Sequence, residues 1–164
     1  VCNTGTEESR AISFEAFRKM ESVIEAVLAG TATVAQRGEM LLGAALAGQA
    51  IEASMLGAAH AAANPLTAHY DVVHGRAVLT MLPSIMKWNS QVVGEIYQEL
   101  RPDLITWVES LRGHAGLEPV TVSESDIPQL AQEAAKQWTG QFNPRPLAVE
   151  DFEKVYREAL NLAL

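Results

Sequence analysis

Apolar positions recur every three to four residues along most of this chain, and the elements they predict are helices. In residues 7–28, Ile12, Ala16, Met20, Val23, Ile24 and Val27 fall at helical spacing, with Thr4 or Thr6 placed to cap the start and Gly30 to end it. Thr31 or Thr33 opens a second helix that runs to about Met55. Gly57 interrupts, a third helix takes residues 58–64, and Pro65 ends or kinks it. Residues 66–73 read as an irregular turn. A fourth helix starts at His74 and Gly75 and reaches Lys87, with Val78, Leu79, Leu82 and Ile85 on its apolar face and Pro83 as a kink. Shorter helices follow at 91–100 and 103–112, separated at Arg101 and Pro102. The stretch GHAGLEPVTVSESDIP is a loop that ends in a helix start, with Ser125 as N-cap and Pro128 in the first turn. That helix runs to about Trp138. TGQFNPRPLAVED is a further loop, and the last helix spans 149–162. No run alternates as a strand would, so the expected fold is all-α, one multi-helix domain over residues 1–164.

Composition sharpens this. Apolar residues make up 48% of the chain, which rules out a disordered segment, and much of that share is alanine, which favours closely packed helices. Residues 40–63 are the most apolar stretch, yet Gln49, Glu52 and His60 interrupt it and its uncharged run is too short to cross a bilayer. Gly43, Ala47, Gly48, Ala50 and Ala53 suit it better to close helix–helix approach. The net charge of −8, with no cluster of basic residues, excludes a phosphate-binding face for nucleic acid. Cys2 is the only cysteine, so there is neither a disulfide framework nor a cysteine-based zinc site. No signal peptide is evident, and the expected compartment is the cytoplasm. The chain opens at Val1 rather than at a methionine, which reads as a piece of a longer protein.

Three of the four histidines lie in HAAANPLTAHYDVVHG, residues 60–75. Imidazole nitrogens bind iron, zinc, nickel or cobalt, provided that several converge from different elements. His60 stands on one predicted helix and His74 at the start of the next, with a turn at Pro65 to fold them together. Spacing alone leaves two readings open, half of a metal site or two unrelated helix-terminal histidines, and favours the second. Glu52 and Asp71 are candidate carboxylate partners. His69 faces no assigned direction, and His114 reads as a loop residue. Ser54 and Ser84 lack the Gly-x-Ser-x-Gly setting of an activated nucleophile. Trp88, Trp107 and Trp138 read as core or interface packing.

The order GAAHAAANPLTAHYDVVHGRAVLTMLPSIMKWN resembles the C-terminal helical domain of the iron-containing (group III) alcohol dehydrogenases. The family pattern runs Gly-x-x-His, then His-Pro-Leu-Gly, a short turn, His-Gly, and a helix ending Leu-Pro-x-x-x-x-x-Asn. Gly57, His60, Pro65, Leu66, His74, Gly75, Leu82, Pro83 and Asn89 fall in register with it. The ending NPRPLAVEDFEKVYREAL and the opening CNTGTEESRAISFEAFRKM are similar to the family's closing segment and entering helix, so the resemblance covers nearly the whole chain. It implies a divalent metal, iron or zinc, held by one Asp and three His, with His60 and His74 as two of the four ligands. The other two are expected on an Asp-x-x-x-His helix upstream of the equivalent of Val1, where the family also carries its Gly-rich nucleotide domain. The implied reaction of the full-length parent is hydride exchange between a small alcohol or carbonyl substrate and NAD(P), in a homo-oligomer. The isolated chain is expected to be inactive, to bind metal weakly or not at all, and to self-associate through an apolar face that includes His60 and His74.

Two positions depart from the pattern. Where the family often has a second His, lining the substrate and nicotinamide pocket, this chain has Asn64, on the same helical face as His60. Asn64 is the candidate catalytic or substrate-orienting residue, but an amide exchanges no proton near neutral pH. Thr67 replaces the Gly after Pro-Leu, which alters the expected turn. The competing readings are a stand-alone helical binding module built on the same fold, and a helical-bundle metal protein that uses His60, His74 and carboxylates such as Glu52.

Overall fold

A computed structural model describes residues 1–116 and 118–161, and among these no strand occurs. Eight α-helices follow in order: α1 Glu7–Glu21, α2 Ile24–Leu28, α3 Val34–Glu52, α4 Ala58–Tyr70, α5 His74–Leu100, α6 Leu104–His114, α7 Ile127–Lys136 and α8 Val149–Ala159. Two 3₁₀ turns, Glu124–Asp126 and Trp138–Phe142, flank α7.

The starts of α1 and α3 are written locally. Thr6 accepts from the Ser9 N–H while the Ser9 hydroxyl accepts from the Thr6 N–H, and Thr33 and Gln36 repeat the exchange at α3. The predicted helix over 7–28 breaks at Ser22 and Val23 into α1 and α2, because the Ser22 hydroxyl turns back onto the Lys19 carbonyl and Val23 leaves helical geometry. The second helix stops at Glu52, short of Met55.

The largest correction concerns Pro65. The helix does not end there: α4 continues to Tyr70, where Asp71 takes a left-handed φ of 52° and stops it. Residues 66–70 are therefore helix rather than irregular turn. Pro65 and Leu66 are fully buried, and packing holds the turn that the missing N–H weakens. Pro83 likewise lies buried inside α5, and the departure from helical geometry comes ten residues later at Val93. The predicted helices over 74–87 and 91–100 are thus one kinked element.

Smaller shifts follow downstream. Asp126, not Ser125, precedes α7, and the Ser125 hydroxyl bonds to Ser123 and Asp126 inside the 3₁₀ turn. Pro128 does sit in the first turn of α7. The helix ends at Lys136, and Trp138 belongs to the following turn. His114 closes α6 instead of lying in a loop. The last helix ends at Ala159, and Leu162 lies outside the described residues.

The main core is built by α4, α5, α7 and α8. Ala58, Ala61, Ala62, Ala63 and Leu66 of α4 meet Ala77, Met81 and Ile85 of α5, Ile127, Leu130 and Ala134 of α7, and Phe152 and Tyr156 of α8. The alanines let the other helices close on α4. The Tyr156 hydroxyl, pushed to a high pKa by burial, donates to the Ala62 carbonyl at 2.6 Å. A second cluster forms around Trp107, Leu104, Leu111, Met86 and Tyr97, with Phe17, Ile24 and Leu28 against it. Trp107 is core as expected, whereas Trp138 is 59% exposed. No described helix is long and apolar enough to cross a membrane.

Candidate functional site

His60 lies in the first turn of α4, and His74 is the first residue of α5. The helical continuation through Pro65 sets the return of the chain: α4 runs on to Asp71, the left-handed turn reverses it, and α5 comes back alongside. The two imidazoles meet with ring centres 5.4 Å apart and planes at 45°. His60 is half-buried and His74 exposed. Burial lowers the pKa of His60, and the neighbouring His74 ring pushes in the same direction. Both effects favour the neutral imidazole that a metal requires.

The spacing fits two ligands of one ion. With metal–nitrogen bonds of about 2 Å and a tetrahedral angle, two imidazoles sharing an ion bring their ring centres to about 5 Å. Among the described residues no group of three or more His, Cys, Asp or Glu side chains is arranged to hold a metal. Glu52 ends α3 and Asp71 ends α4, both exposed, and neither completes the pair. Among the described residues, the helical-bundle metal site expected from His60, His74 and carboxylates such as Glu52 is therefore not assembled. His69 turns away to pair with Glu133 of α7 at 2.7 Å.

Asn64, one turn after His60, has its amide nitrogen 2.9 Å from Oε1 of Gln137, the residue that follows α7. Gln137 was not among the residues singled out from the sequence, and no local spacing marks it: it reaches Asn64 across 73 positions.

A buried clasp fixes the two helices that carry the histidines. Asn143 Oδ1 accepts from the Ala58 N–H at 3.2 Å, capping α4, and from Asn89 Nδ2 of α5 at 3.1 Å. Its own amide donates to Asn89 Oδ1 and to the Arg145 carbonyl, each at 2.6 Å. Gly57 makes room, since a Cβ there would sit 3.1 Å from Asn143 Oδ1. Arg145 stacks over Trp88 at 3.4 Å and donates to its carbonyl, so Trp88 packs under a cation and not in the apolar core. The sequence marked Asn89 and the Asn-Pro-Arg segment without assigning them a task. Their task is to tie α5 to the start of α4.

Comparison with known proteins fits this arrangement. A family model described as "Fe-containing alcohol dehydrogenase family, C-terminal" matches residues 4–160. Lactaldehyde reductase of Escherichia coli K12 is 33% identical over 141 residues, which cover 74% of this chain and 37% of the relative. The 1,3-propanediol dehydrogenase of Klebsiella pneumoniae is 25% identical over 169 aligned positions, covering 91% of this chain and 44% of that protein. The chain thus spans less than half the length of either relative. The crystal structure of a 1,3-propanediol oxidoreductase superposes with a TM-score of 0.91 at 22% identity, over 96% of this chain and 47% of the other. An alcohol dehydrogenase from Oenococcus oeni gives 0.91 at 23%, over 97% and 47%. Matched by the family model along nearly its whole length, and sharing its helical architecture with these structures, the chain belongs to the Fe-containing alcohol dehydrogenase family, of which it represents the C-terminal part.

Proposed function

We propose that this chain supplies two of the metal ligands and part of the substrate pocket of a metal-dependent, NAD(P)-linked alcohol dehydrogenase. The observation that carries the reading is the meeting of His60 and His74, from two successive helices, at a ring separation of 5.4 Å. Bound there, Fe²⁺ or Zn²⁺ would supply Lewis-acid polarisation of a substrate oxygen, and NAD(P) a hydride acceptor. The chain's own residues do the rest. His60 and His74 offer neutral nitrogens, the Asn89–Asn143 clasp keeps their helices in register, and Asn64 orients the substrate. Two relatives carry names that refer to lactaldehyde and 1,3-propanediol, which supports a small alcohol or carbonyl compound as the substrate class.

Two imidazoles without a carboxylate make a weak site, so the isolated chain is expected to bind metal weakly and to be inactive. Its exposed apolar side chains, Val73 beside His74 and Leu41 and Leu42 on α3, are expected to drive self-association, consistent with a homo-oligomeric, cytoplasmic parent. The test begins with the coding sequence upstream of Val1. An Asp-x-x-x-His helix and a Gly-rich loop there support the reading. In the encoded protein, His60→Ala and His74→Ala are each expected to strip most bound metal and abolish alcohol oxidation. Full metal content in both variants overturns the assignment. A reading frame that opens at Val1 leaves instead a stand-alone helical module.

A further inference from the structure

His60 stands on a helix whose start is capped by Asn143, whereas His74 opens α5 without such help. Val73, the residue before it, makes no side-chain cap, and Gly75, the residue after it, has open space where a Cβ would lie. The turn that delivers His74 is short: left-handed Asp71, buried Val72, and Val73, which is 76% exposed. A ligand so placed needs a hold from outside the turn, because a metal site tolerates displacements of only about 0.5 Å.

The segment 118–126 supplies a hold on each side. Four residues before His74, the Tyr70 hydroxyl donates to Asp126 Oδ2. Two residues after it, Arg76 Nη2 donates to the Glu118 carbonyl and, at 3.3 Å, to the Pro119 carbonyl. Arg76 Nε is buried without a partner, so among the described residues the grip is made through Nη2. The segment is itself anchored: Val122 is buried in the main core, Val120 packs against that core, and Asp126 leads into α7. Bonds from a guanidinium to a carbonyl are charge-assisted, roughly twice as strong as neutral ones. Here they join the first turn of α5 to a segment that the core keeps in place.

We infer that residues 118–126 form a strap across the α4–α5 turn, and that Arg76, with Tyr70 gripping the other side, is a positioning residue for His74. The inference rests on the metal-ligand reading of His74 and assigns a task to residues that this reading does not use. Arg76 acts through the backbone of the first turn of α5, which it shares with His74. Partners that orient a metal ligand from outside its coordination sphere are worth about 10- to 100-fold in metal affinity, and a hold one step further out belongs at the low end of that range.

The test measures the Zn²⁺ affinity of the full-length protein by competition with a chromophoric chelator. Arg76→Met keeps an unbranched stem, removes the donors, and is expected to weaken Zn²⁺ binding about 10-fold. Arg76→Lys retains a donor and is expected to stay within about threefold of the wild type. Lys87→Met is the control: it removes the ion pairs to Glu109 and Glu158 from the same helix, far along from the turn, and is expected to leave the affinity unchanged. Wild-type affinity in Arg76→Met overturns the inference, and so does an equal loss in Lys87→Met, since any loosening of α5 would then weaken the site. Where circular dichroism shows that Arg76→Met does not fold, Tyr70→Phe decides, because it keeps the ring and loses only the bond to Asp126. A loss of about threefold there supports the strap, and wild-type affinity overturns it. A wild type that binds no Zn²⁺, or a His74→Ala variant that binds it fully, overturns the metal-ligand reading as well.

Discussion

Helices α3 and α4 look alike in sequence and live differently in the fold. Both are rich in alanine and poor in charge. In α4, Ala58, Ala59, Ala61, Ala62, Ala63, Pro65 and Leu66 are buried, and three of its polar residues are engaged: Asn64 with Gln137, His69 with Glu133 and His60 against His74. In α3 only Gly43 and Ala50 are buried, while Val34 is 88% and Leu41 72% exposed. A helix apolar on all sides is the pattern of a buried helix. Helix α4 has its cover in α5, α7 and the Trp138–Phe142 turn, with Tyr156 of α8 bonded to its Ala62 carbonyl, whereas α3 packs chiefly on α1. Burial is thus decided by which neighbours are present, and apolar composition states a requirement that the described fold meets for one helix and not for the other.

The widest separation between them is expected on enlarging an alanine. Ala61→Leu places three more carbons where the Trp138–Phe142 turn rests on α4, and is expected to cost about 3 kcal/mol. Ala45→Leu, on the exposed side of α3, is expected to change stability by less than about 0.5 kcal/mol. Urea denaturation of the two variants measures the difference. A large cost at Ala45 as well would show that the α3 face is covered in solution.

Next in size is the clasp at the head of α4. Asn143→Ala leaves the Asn89 amide and the Ala58 N–H buried without partners, for a loss of about 2 kcal/mol. Because the clasp also sets the helices bearing His60 and His74, metal content of the full protein is expected to fall with it. Asn3, whose amide bonds the Gln141 carbonyl near the surface, offers the control: Asn3→Ala is expected to leave metal content unchanged.

These two regions also show how much could be read from the sequence. Helical periodicity located most elements, and the Thr6 and Thr33 caps and the Gly30 stop, with its φ of 71°, are local chemistry. The family pattern pointed to His60 and His74, which the fold brings together. What stayed hidden depends on tertiary packing. Pro65 and Pro83 carry a local breaking signal that buried contacts override. Asn64 meets Gln137, and Asn89 meets Asn143, across long stretches of chain that no spacing rule connects. The burial of α4 against the exposure of α3 likewise follows from α7 and the Trp138–Phe142 turn folding back over one helix and not the other.

A smaller effect is expected where α3 does make a tight contact. A Cβ on Gly43 would lie 2.6 Å from Met20 Cγ and 3.1 Å from the Ala16 carbonyl oxygen. The Met20 side chain can move, but the α1 backbone cannot without separating the helices. Gly43→Ala is therefore expected to cost about 1 kcal/mol, after a helix-propensity gain of similar size is set against the clash. Gly48→Ala, with open space around it, is expected to stabilise α3, since only the propensity gain acts there. Thermal melting of the pair checks the opposite signs.

The smallest effect concerns the exposed edges of the two helices. Lys19 and Glu39 pair at 3.2 Å between α1 and α3, and His69 and Glu133 at 2.7 Å between α4 and α7. Hydrogen bonds from Gln129 and then His69 hold the Glu133 carboxyl below its ordinary pKa of 4.5. A carboxylate with a lowered folded-state pKa binds fewer protons when folded, so its contribution is present above the ordinary value and lost as pH falls through the lowered one. Glu133→Gln should therefore lower the urea midpoint slightly at about pH 6, and the difference should shrink as the pH falls below the ordinary carboxyl range. Glu39→Gln, whose carboxyl lies on the less anchored helix, should lower the midpoint less than Glu133→Gln does at about pH 6. Equal shifts in the two variants would mean that α3 is held as firmly at its edge as α4, and the contrast between the helices would then lie in their apolar faces alone.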